Sequence, residues 1–278
     1  MDIKDKVAVI TGAANGIGKA LARRFCAAGA KGVVIADRDL AGAQRLAEEL
    51  GVVAIECDVS VEEQIIAAVK LAESEYGPVD MFVSNAGFGT GDQGPLAASA
   101  SNDIWQRAWD VHVMSHVYAA RAVLPSMIER GTGYFLNVAS AAGLLTQVGD
   151  AAYSTTKHAA VGFAESLAVR HGDQGIRVSV LCPQYVATSI IGVDDESETD
   201  LPPGVLSTRQ LVDTVMQGID EERFMLLPHP EVGKFHQLKV SDYQRWIKSM
   251  QRLKAATVSE QGDVNFALMH EIVGGGKK

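Results

Sequence analysis

The order of apolar and polar positions along the chain predicts strands and helices in regular alternation. Short continuous apolar runs such as Val7-Ala8-Val9-Ile10 are typical of strands that are buried on both faces. The segments between these runs place apolar residues at helical spacing. The predicted strands are 7–10, 33–36, 52–57, 81–83, 133–139, 177–182 and 223–227. The predicted helices are 19–28, 39–50, 62–76, 102–130, 151–171, 208–221 and 236–256.

This alternation predicts an α/β fold. Strands that are separated by helices form right-handed βαβ units, and these build a parallel sheet with helices on both faces. We therefore predict a Rossmann-like, doubly wound parallel sheet of about seven strands. Residues 1–228 form the predicted domain, and residues 229–278 form a helical C-terminal extension that ends in a disordered, glycine-rich tail.

Composition narrows the class of protein. Of the 278 residues 47% are hydrophobic, which is enough for a sizeable core. The 34 acidic residues exceed the 25 basic ones, which argues against a nucleic-acid partner. No apolar run of about 18 residues predicts a membrane span. Three widely spaced cysteines predict neither disulfides nor a metal site, and no secretory signal is visible, so we expect a cytoplasmic protein.

A glycine-rich turn follows the first predicted strand and opens a helix. It contains Gly12, Asn15, Gly16, Ile17 and Gly18. Glycines at such a turn allow a close approach of the backbone to a pyrophosphate, which the positive end of the helix attracts. An ordinary strand-to-helix turn would explain the glycines about as well when they are taken alone.

Asp37 ends the second predicted strand, 19 positions after Gly18. A carboxylate at about this offset can accept both hydroxyls of an adenosine ribose and repels a 2′-phosphate, so Asp37 favours NAD over NADP. The neighbouring Arg38 favours the phosphate instead. Asp37 could equally be the N-cap of the next helix.

Two further strand ends carry candidate cofactor contacts. Asp58 and Val59 follow the third strand and are suited to hold an adenine, although Asp58 could also cap a helix. Asn85, Ala86 and Gly87 follow the fourth strand, where small residues let the backbone lie against a ligand. Ligands of open parallel sheets bind at these carboxyl ends.

The candidate chemistry lies at Tyr153 and Lys157. They are four positions apart on a predicted helix and therefore share a face. An adjacent ammonium favours the phenolate and lowers the pKa of the phenol. Ser140 ends a strand 13 positions before Tyr153, and its hydroxyl is suited to hold a carbonyl or alkoxide oxygen.

These motifs together resemble the short-chain dehydrogenase/reductase family, in its compact single-domain branch, and the match runs from Val7 to about Leu227. The resemblance implies hydride transfer between a secondary alcohol or its ketone and NAD, in a homodimer or homotetramer. It implies that Tyr153 is the acid/base, that Lys157 lowers its pKa and holds the nicotinamide ribose, and that Ser140 positions the substrate oxygen. It also places Pro183 and Val186 among the cofactor contacts and Thr188 at the nicotinamide carboxamide.

Two positions depart from the family pattern. His112 stands where the family usually has Asn, which there helps to hold a water on a proton path to the lysine. Imidazole can carry such a relay, or His112 can be a neutral structural residue. Gln184 stands where the family usually has Gly, and a long amide there would narrow the pocket. The candidate substrate residues are Ser140, Gln147, Gln184 and Tyr185.

The substrate and the extension are less defined. The acid-rich stretch 188–206, which we expect to be a solvated loop, disfavours anionic substrates and suggests a neutral, fairly apolar alcohol. The basic helix 236–256 either packs beside that loop and helps to close the site or covers the sheet edge. Two other functions fit the glycine turn: a non-catalytic dinucleotide sensor and a methyltransferase. Neither requires Ser140, Tyr153 and Lys157.

Overall fold

The computed structural model describes residues 1–194 and 199–273. The predicted disordered tail lies outside the described residues. The strands are β1 (Val7–Thr11), β2 (Gly32–Asp37), β3 (Val53–Glu56), β4 (Met81–Ser84), β5 (Gly133–Val138), β6 (Ile176–Leu181), β7 (Tyr185–Val186), β8 (Val205–Leu206) and β9 (Met225–Leu226). The helices are α1 (Gly16–Ala27), α2 (Leu40–Leu50), α3 (Glu62–Glu75), α4 (Asn102–Trp109), α5 (Ser115–Arg130), α6 (Ala151–His171), α7 (Thr208–Asp220), α8 (Pro230–Ser241), α9 (Tyr243–Thr257) and α10 (Phe266–Val273).

Among the described residues, seven strands form one sheet in the order β3-β2-β1-β4-β5-β6-β9, and neighbouring strands run parallel. This confirms the predicted Rossmann-like fold. The chain order reverses between β1 and β4, and the carboxyl ends on either side of this point form a crevice.

Two apolar layers enclose the sheet. Alternate residues of β1 supply them: Val9 belongs to the layer that includes Phe82 and Phe135, whereas Ile10 belongs to the layer that includes Ile35. All five residues of β1 are buried. Burial on both faces explains why the strands are continuous apolar runs rather than alternating ones.

The predicted single helix 102–130 is divided. α4 and α5 are joined by a π-helical turn over Asp110–Met114, which contains the buried His112. A π turn adds one residue without ending the helix, and it shifts the face on which the later side chains lie. Hydrophobic periodicity does not distinguish this insertion from a regular helix.

The stretch after β6 is more ordered than predicted. β7 pairs in parallel with β8, and Tyr185, Ala187 and Val205 form a small buried cluster there. The expectation of a solvated loop over 188–206 was therefore wrong at its start and end. The apolar residues within this acid-rich stretch, among them Ile191 and Leu201, pack against that cluster.

Over its described residues, 229–273, the C-terminal extension forms three helices instead of one. Asp242 separates α8 from α9, and its side chain caps α9 by accepting a hydrogen bond from Arg245 N at 2.9 Å. Lys239 of α8 is buried, and its ammonium donates to the carbonyls of Leu144 at 2.6 Å and Leu145 at 3.3 Å. The extension is thus bonded to the segment that follows Ser140.

Candidate active site

The glycine-rich turn is shaped by backbone contacts that leave no room for side chains. Gly12 and Gly16 have φ of +63° and +54°. A Cβ at Gly12 would lie 2.8 Å from Ala86 Cα, and one at Gly18 would lie 2.3 Å from Gly12 O. The turn therefore lies directly against residues 85–86, and the first N–H groups of α1 open into the crevice.

Most of the predicted cofactor residues line one cleft of about 500 Å³ along the carboxyl ends of the strands. The members are Gly12, Asn15, Gly16, Ile17, Asp37, Arg38, Asp58, Val59, Asn85, Ala86, Gly87, Tyr153, Lys157, Pro183, Val186 and Thr188. Gly18 lies under the turn rather than in the lining. The shape and the backbone donors fit a dinucleotide, because the cleft runs from the acidic end of β2 past the glycine turn to the catalytic candidates.

Asp37 connects the turn to β2. Its buried carboxylate accepts from Ala14 N and Asp39 N, both at 2.9 Å. The cap of α2 is Asp39, which accepts from Gly42 N at 3.0 Å, so the alternative N-cap role for Asp37 was wrong. Arg38 is exposed at the same end of the cleft.

The adjacent strand ends are held by their own hydrogen bonds. Asp58 accepts from Ser60 N at 2.9 Å and Ser60 Oγ at 2.7 Å, and these bonds lower its pKa. It does not cap α3, whose N-cap position is Val61. The Asn85 amide donates to Thr11 O at 2.9 Å and Gly12 O at 3.0 Å, which ties β4 to the turn.

The structure brings Ser140, Tyr153 and Lys157 together in the cleft. Ser140 and Tyr153 both line it, and the Ser140 hydroxyl is close enough to the phenol to lower its pKa. Lys157 is buried; its Nζ donates to Val138 O at 3.1 Å and lies 5.6 Å from the centre of the Tyr153 ring. The Asp150 side chain caps α6, the helix that carries Tyr153 and Lys157.

Burial is the largest influence on the pKa values of Tyr153 and Lys157. Burial raises the pKa of Tyr153 above its usual value, and the nearby Ser140 hydroxyl opposes this only in part. The expectation that the Lys157 ammonium lowers the pKa of the phenol stays a prediction. Burial also lowers the pKa of Lys157 to about 8, so the ammonium is mostly protonated at neutral pH.

His112 is fixed by hydrogen bonds at both ring nitrogens. Its Nε2 accepts from Phe88 N at 3.2 Å, and its Nδ1 lies 2.9 Å from Thr156 Oγ1. Because the Thr156 hydroxyl donates to Ala152 O at 2.8 Å, Nδ1–H is the donor to Thr156. Burial lowers the pKa of His112 well below its usual value. This arrangement suits a neutral histidine that positions the backbone after Gly87.

Substitutions at His112 should separate this positioning role from a proton relay. We expect His112→Leu to raise KM for the dinucleotide and to lower the free energy of unfolding by about 1–3 kcal/mol, because the Phe88 N–H loses its acceptor. His112→Asn retains an acceptor and should be milder in both respects. Steady-state kinetics and urea unfolding measure these effects. A loss of kcat alone in His112→Leu, with stability and KM unchanged, would instead support the relay.

Sequence reasoning missed a clamp between the cleft wall and α6. Asp150 accepts from Thr90 N at 2.9 Å, Gly91 N at 2.8 Å and the Thr90 hydroxyl, as well as from Tyr153 N at 3.1 Å. It thereby holds the loop after β4 against the helix that carries Tyr153. Asp is a preferred N-cap residue, so Asp150 just before the predicted helix 151–171 was recognisable as a cap. The sequence gives no sign that the same side chain also binds the loop at Thr90 and Gly91.

A second cavity of about 260 Å³ lies under the extension. The candidate substrate residues Gln147, Gln184 and Tyr185 line it, together with apolar side chains of α9 and α10. Gln184 also lines the cofactor cleft. The predicted basic helix carries an apolar stripe of Trp246, Ile247, Met250 and Leu253. Trp246, Met250 and Leu253 line this cavity, whereas Ile247 is exposed. In the part of the chain that the structure describes, no helix is both long and apolar enough to span a bilayer.

Comparison with known proteins identifies similar chains. A family model described as short chain dehydrogenase matches residues 6–199. A borneol dehydrogenase, mitochondrial, from Lavandula x intermedia is 33% identical over 227 residues, which cover 80% of this chain and 87% of the relative. The crystal structure of a short chain dehydrogenase/reductase from Burkholderia phymatum in complex with NAD has a TM-score of 0.77 at 29% identity, covering 88% of this chain and 96% of that one. The crystal structure of a 3-ketoacyl-(acyl-carrier-protein) reductase from Brucella melitensis complexed with NADH has a TM-score of 0.73 at 32% identity, covering 81% of this chain and 97% of that one.

Proposed function

Because the chain belongs to the short-chain dehydrogenase family of oxidoreductases, we propose that it oxidises a secondary alcohol to its ketone with NAD, or carries out the reverse reaction. The observation that carries the proposal is the meeting of Ser140, Tyr153 and Lys157 with the glycine turn in one cleft. A dinucleotide sensor would need the turn but not this group, so nothing in the site favours that alternative.

In the proposed reaction each residue has one task. The Ser140 hydroxyl holds the substrate oxygen, and Tyr153 takes the hydroxyl proton while the carbinol C–H bond breaks. When bound in the cleft, NAD⁺ would supply the acceptor for the hydride that leaves the carbinol carbon. The Lys157 ammonium, which is held by Val138 O, stabilises the phenolate and can hold the nicotinamide ribose. Thr188, which lines the same cleft, would contact the carboxamide.

The proposal is tested with a panel of cyclic, aromatic and steroid-like alcohols and the corresponding ketones. Formation of NADH at 340 nm that depends on Tyr153 supports it. Dinucleotide binding without turnover on any member of the panel would favour the sensor instead.

We propose NAD as the preferred cofactor, because the buried Asp37 carboxylate lines the cleft at the end of β2, where it would repel a 2′-phosphate. Wild-type kcat/KM should be higher with NAD than with NADP by tenfold or more, the ratio that about 1.4 kcal/mol of repulsion produces. Asp37→Ala should narrow this ratio. Asp37→Asn should narrow it as well, while its amide oxygen still accepts from Ala14 N. Arg38→Ala should widen it. A wild-type preference for NADP contradicts the proposal.

For the substrate we propose a neutral, fairly apolar alcohol or ketone. The cavity beside Gln184 is lined mainly by apolar side chains, and one of the similar relatives is named for borneol. The similarity to a 3-ketoacyl-(acyl-carrier-protein) reductase suggests a carrier-bound substrate instead, but the acidic residues of 188–206, of which 195–198 lie outside the described residues, disfavour an anionic one. We further propose that the protein is cytoplasmic and forms a homodimer or homotetramer. Light scattering tests the oligomeric state.

A further inference from the structure

Three parts of the chain meet at the ammonium of Lys239, beside the second cavity. Lys239 belongs to α8 and is buried. Its Nζ donates to Leu144 O at 2.6 Å and to Leu145 O at 3.3 Å, and it lies 3.3 Å from Nε2 of His158 on α6. An ammonium has three N–H donors, so these three acceptors account for all of them.

Only a neutral His158 fits this arrangement. Its Nδ1 lies 2.8 Å from Ser154 O, and a carbonyl oxygen only accepts, so the Nδ1 proton is donated there. Nε2 of the neutral ring therefore carries no proton and accepts from Lys239 Nζ. In an imidazolium both ring nitrogens carry protons, so protonation would replace this hydrogen bond by two cations in contact.

The charges around His158 oppose its protonation. Burial has the largest effect and lowers the pKa of His158 below its usual value, whereas the hydrogen bond to Ser154 O raises it. Lys239 and His236, both on α8, lower this pKa further. The segment 144–145 brings only backbone carbonyls, and α9 brings the ring of Tyr243, whose centre lies 5.5 Å from Lys239 Nζ. The charges that act on His158 from the described part of the chain are thus both positive.

The Lys239 contacts help to close the second cavity. Residues 145–148 line this cavity together with Phe235 of α8 and Trp246 of α9. Lys239 therefore ties α8 to the backbone of the cavity wall, and His158 supplies one of the three acceptors that hold it. Loss of the His158 acceptor would leave a buried ammonium with an unsatisfied donor, which is unfavourable.

We propose that His158 is a positioning residue whose neutral imidazole holds α8 over the second cavity, and that its protonation in mildly acidic solution releases α8. The proton comes from solvent and binds Nε2. The docked form, in which α8 is held, is complete above about pH 6.5, the pKa of an unperturbed histidine, and is lost below it, because docking lowers the pKa of His158. Each pH unit below that value lowers the ratio of docked to released molecules by up to about tenfold, until the pKa of the docked form is reached.

The fluorescence of Trp246 reports the release without any substrate. The other two tryptophans, Trp105 and Trp109, lie on α4, so Trp105→Phe/Trp109→Phe leaves Trp246 as the sole emitter. Between about pH 7.5 and about pH 5.5 we expect its emission to shift to longer wavelength, because release exposes the indole to water. Far-UV circular dichroism should stay unchanged over the same interval.

Two variants in this background remove the contact in different ways. His158→Gln provides an amide oxygen that can accept from Lys239 but does not titrate. Lys239→Met removes the ammonium that would repel the imidazolium. The emission of both variants should be independent of pH over this interval. His171→Gln is the matched control, because His171 lies at the C-terminal end of α6 and is bonded to Gln174, so it should retain the wild-type transition.

Three results would overturn the inference. A transition that persists in His158→Gln belongs to another group, such as His236 or the buried His229. An emission that does not change with pH in the protein with His158 intact shows that α8 stays docked. A shift that coincides with loss of circular dichroism is acid unfolding of the whole domain.

Ketone reduction tests the consequence for substrate binding, which rests on the proposed function, whereas the release does not. For the best ketone of the panel, the wild-type KM should rise by at least about fivefold over this pH interval, and the KM of His158→Gln should stay constant. KM for NADH should be unchanged in both. If the emission shifts while KM for the ketone does not, the positioning role fails. If the emission shifts and no ketone is reduced, the proposed function fails and the release of α8 stands.

Discussion

Tyr153→Phe should lose about 10²- to 10⁴-fold in kcat while dinucleotide affinity stays near that of the wild type. This range is the usual contribution of one general acid or base. The phenyl ring keeps the edge-to-face contact with His112, at 5.4 Å between ring centres, so only the hydroxyl that meets Ser140 is removed. Turnover is measured by NADH formation, and affinity by calorimetric titration.

The same residue sets the direction of the pH dependence. Oxidation of the alcohol needs the Tyr153 phenolate, and burial raises the pKa of this phenol. The rate of oxidation should therefore rise with pH in the alkaline range, whereas ketone reduction, which needs the protonated phenol, should fall. Tyr118→Phe is the matched control, because Tyr118 lies beside Arg121 on α5 and outside the cleft lining. Near-normal kcat in Tyr153→Phe would show that another group moves the proton.

Gly18→Ala should abolish most dinucleotide binding and destabilise the fold by about 1–3 kcal/mol, the usual cost of overpacking. The added methyl would lie 2.3 Å from Gly12 O and 2.6 Å from Asn85 Nδ2, so the turn and the end of β4 must separate. Gly162→Ala is the matched control in α6, where an added Cβ meets nothing within 4 Å.

The two alanine variants should change stability in opposite directions. Gly162→Ala removes a helix-interior glycine and should raise the free energy of unfolding by about 0.5–1 kcal/mol, with unchanged dinucleotide affinity. Urea unfolding and titration with NAD measure both variants. Gly18→Ala with wild-type affinity would show that the turn can move away from the added methyl group without loss of binding, and that the close contacts of Gly18 do not limit it.

The sequence was sufficient for the features that depend on local pattern. The central strands are apolar runs because both faces of the sheet are covered, and the glycine turn is recognisable because three backbone positions exclude side chains. Tyr153 and Lys157 share a face by helical spacing alone. Each of these features requires particular residue types at fixed separations.

The remaining features depend on contacts between distant parts of the chain. Asp150 meets Thr90 across 60 positions, and Lys239 meets Leu144 across 95, which no local pattern reveals. The π turn around His112 keeps the apolar rhythm of a helix and so remained hidden. The break at Asp242 was detectable, because Asp is a preferred N-cap residue and therefore marks a place where a new helix can begin. In the structure its side chain accepts from Arg245 N.

The Lys239 ammonium bond has a consequence for local unfolding. A buried cation that loses its carbonyl partners is costly, so α8 cannot detach without also freeing the segment that follows Ser140. The extension and the segment that follows Ser140 therefore belong to one cooperative unit, and their amide protons should exchange with solvent together. A ligand bound between them stabilises that unit by mass action, so amide protection of α8 reports occupancy of a cavity that α8 helps to enclose.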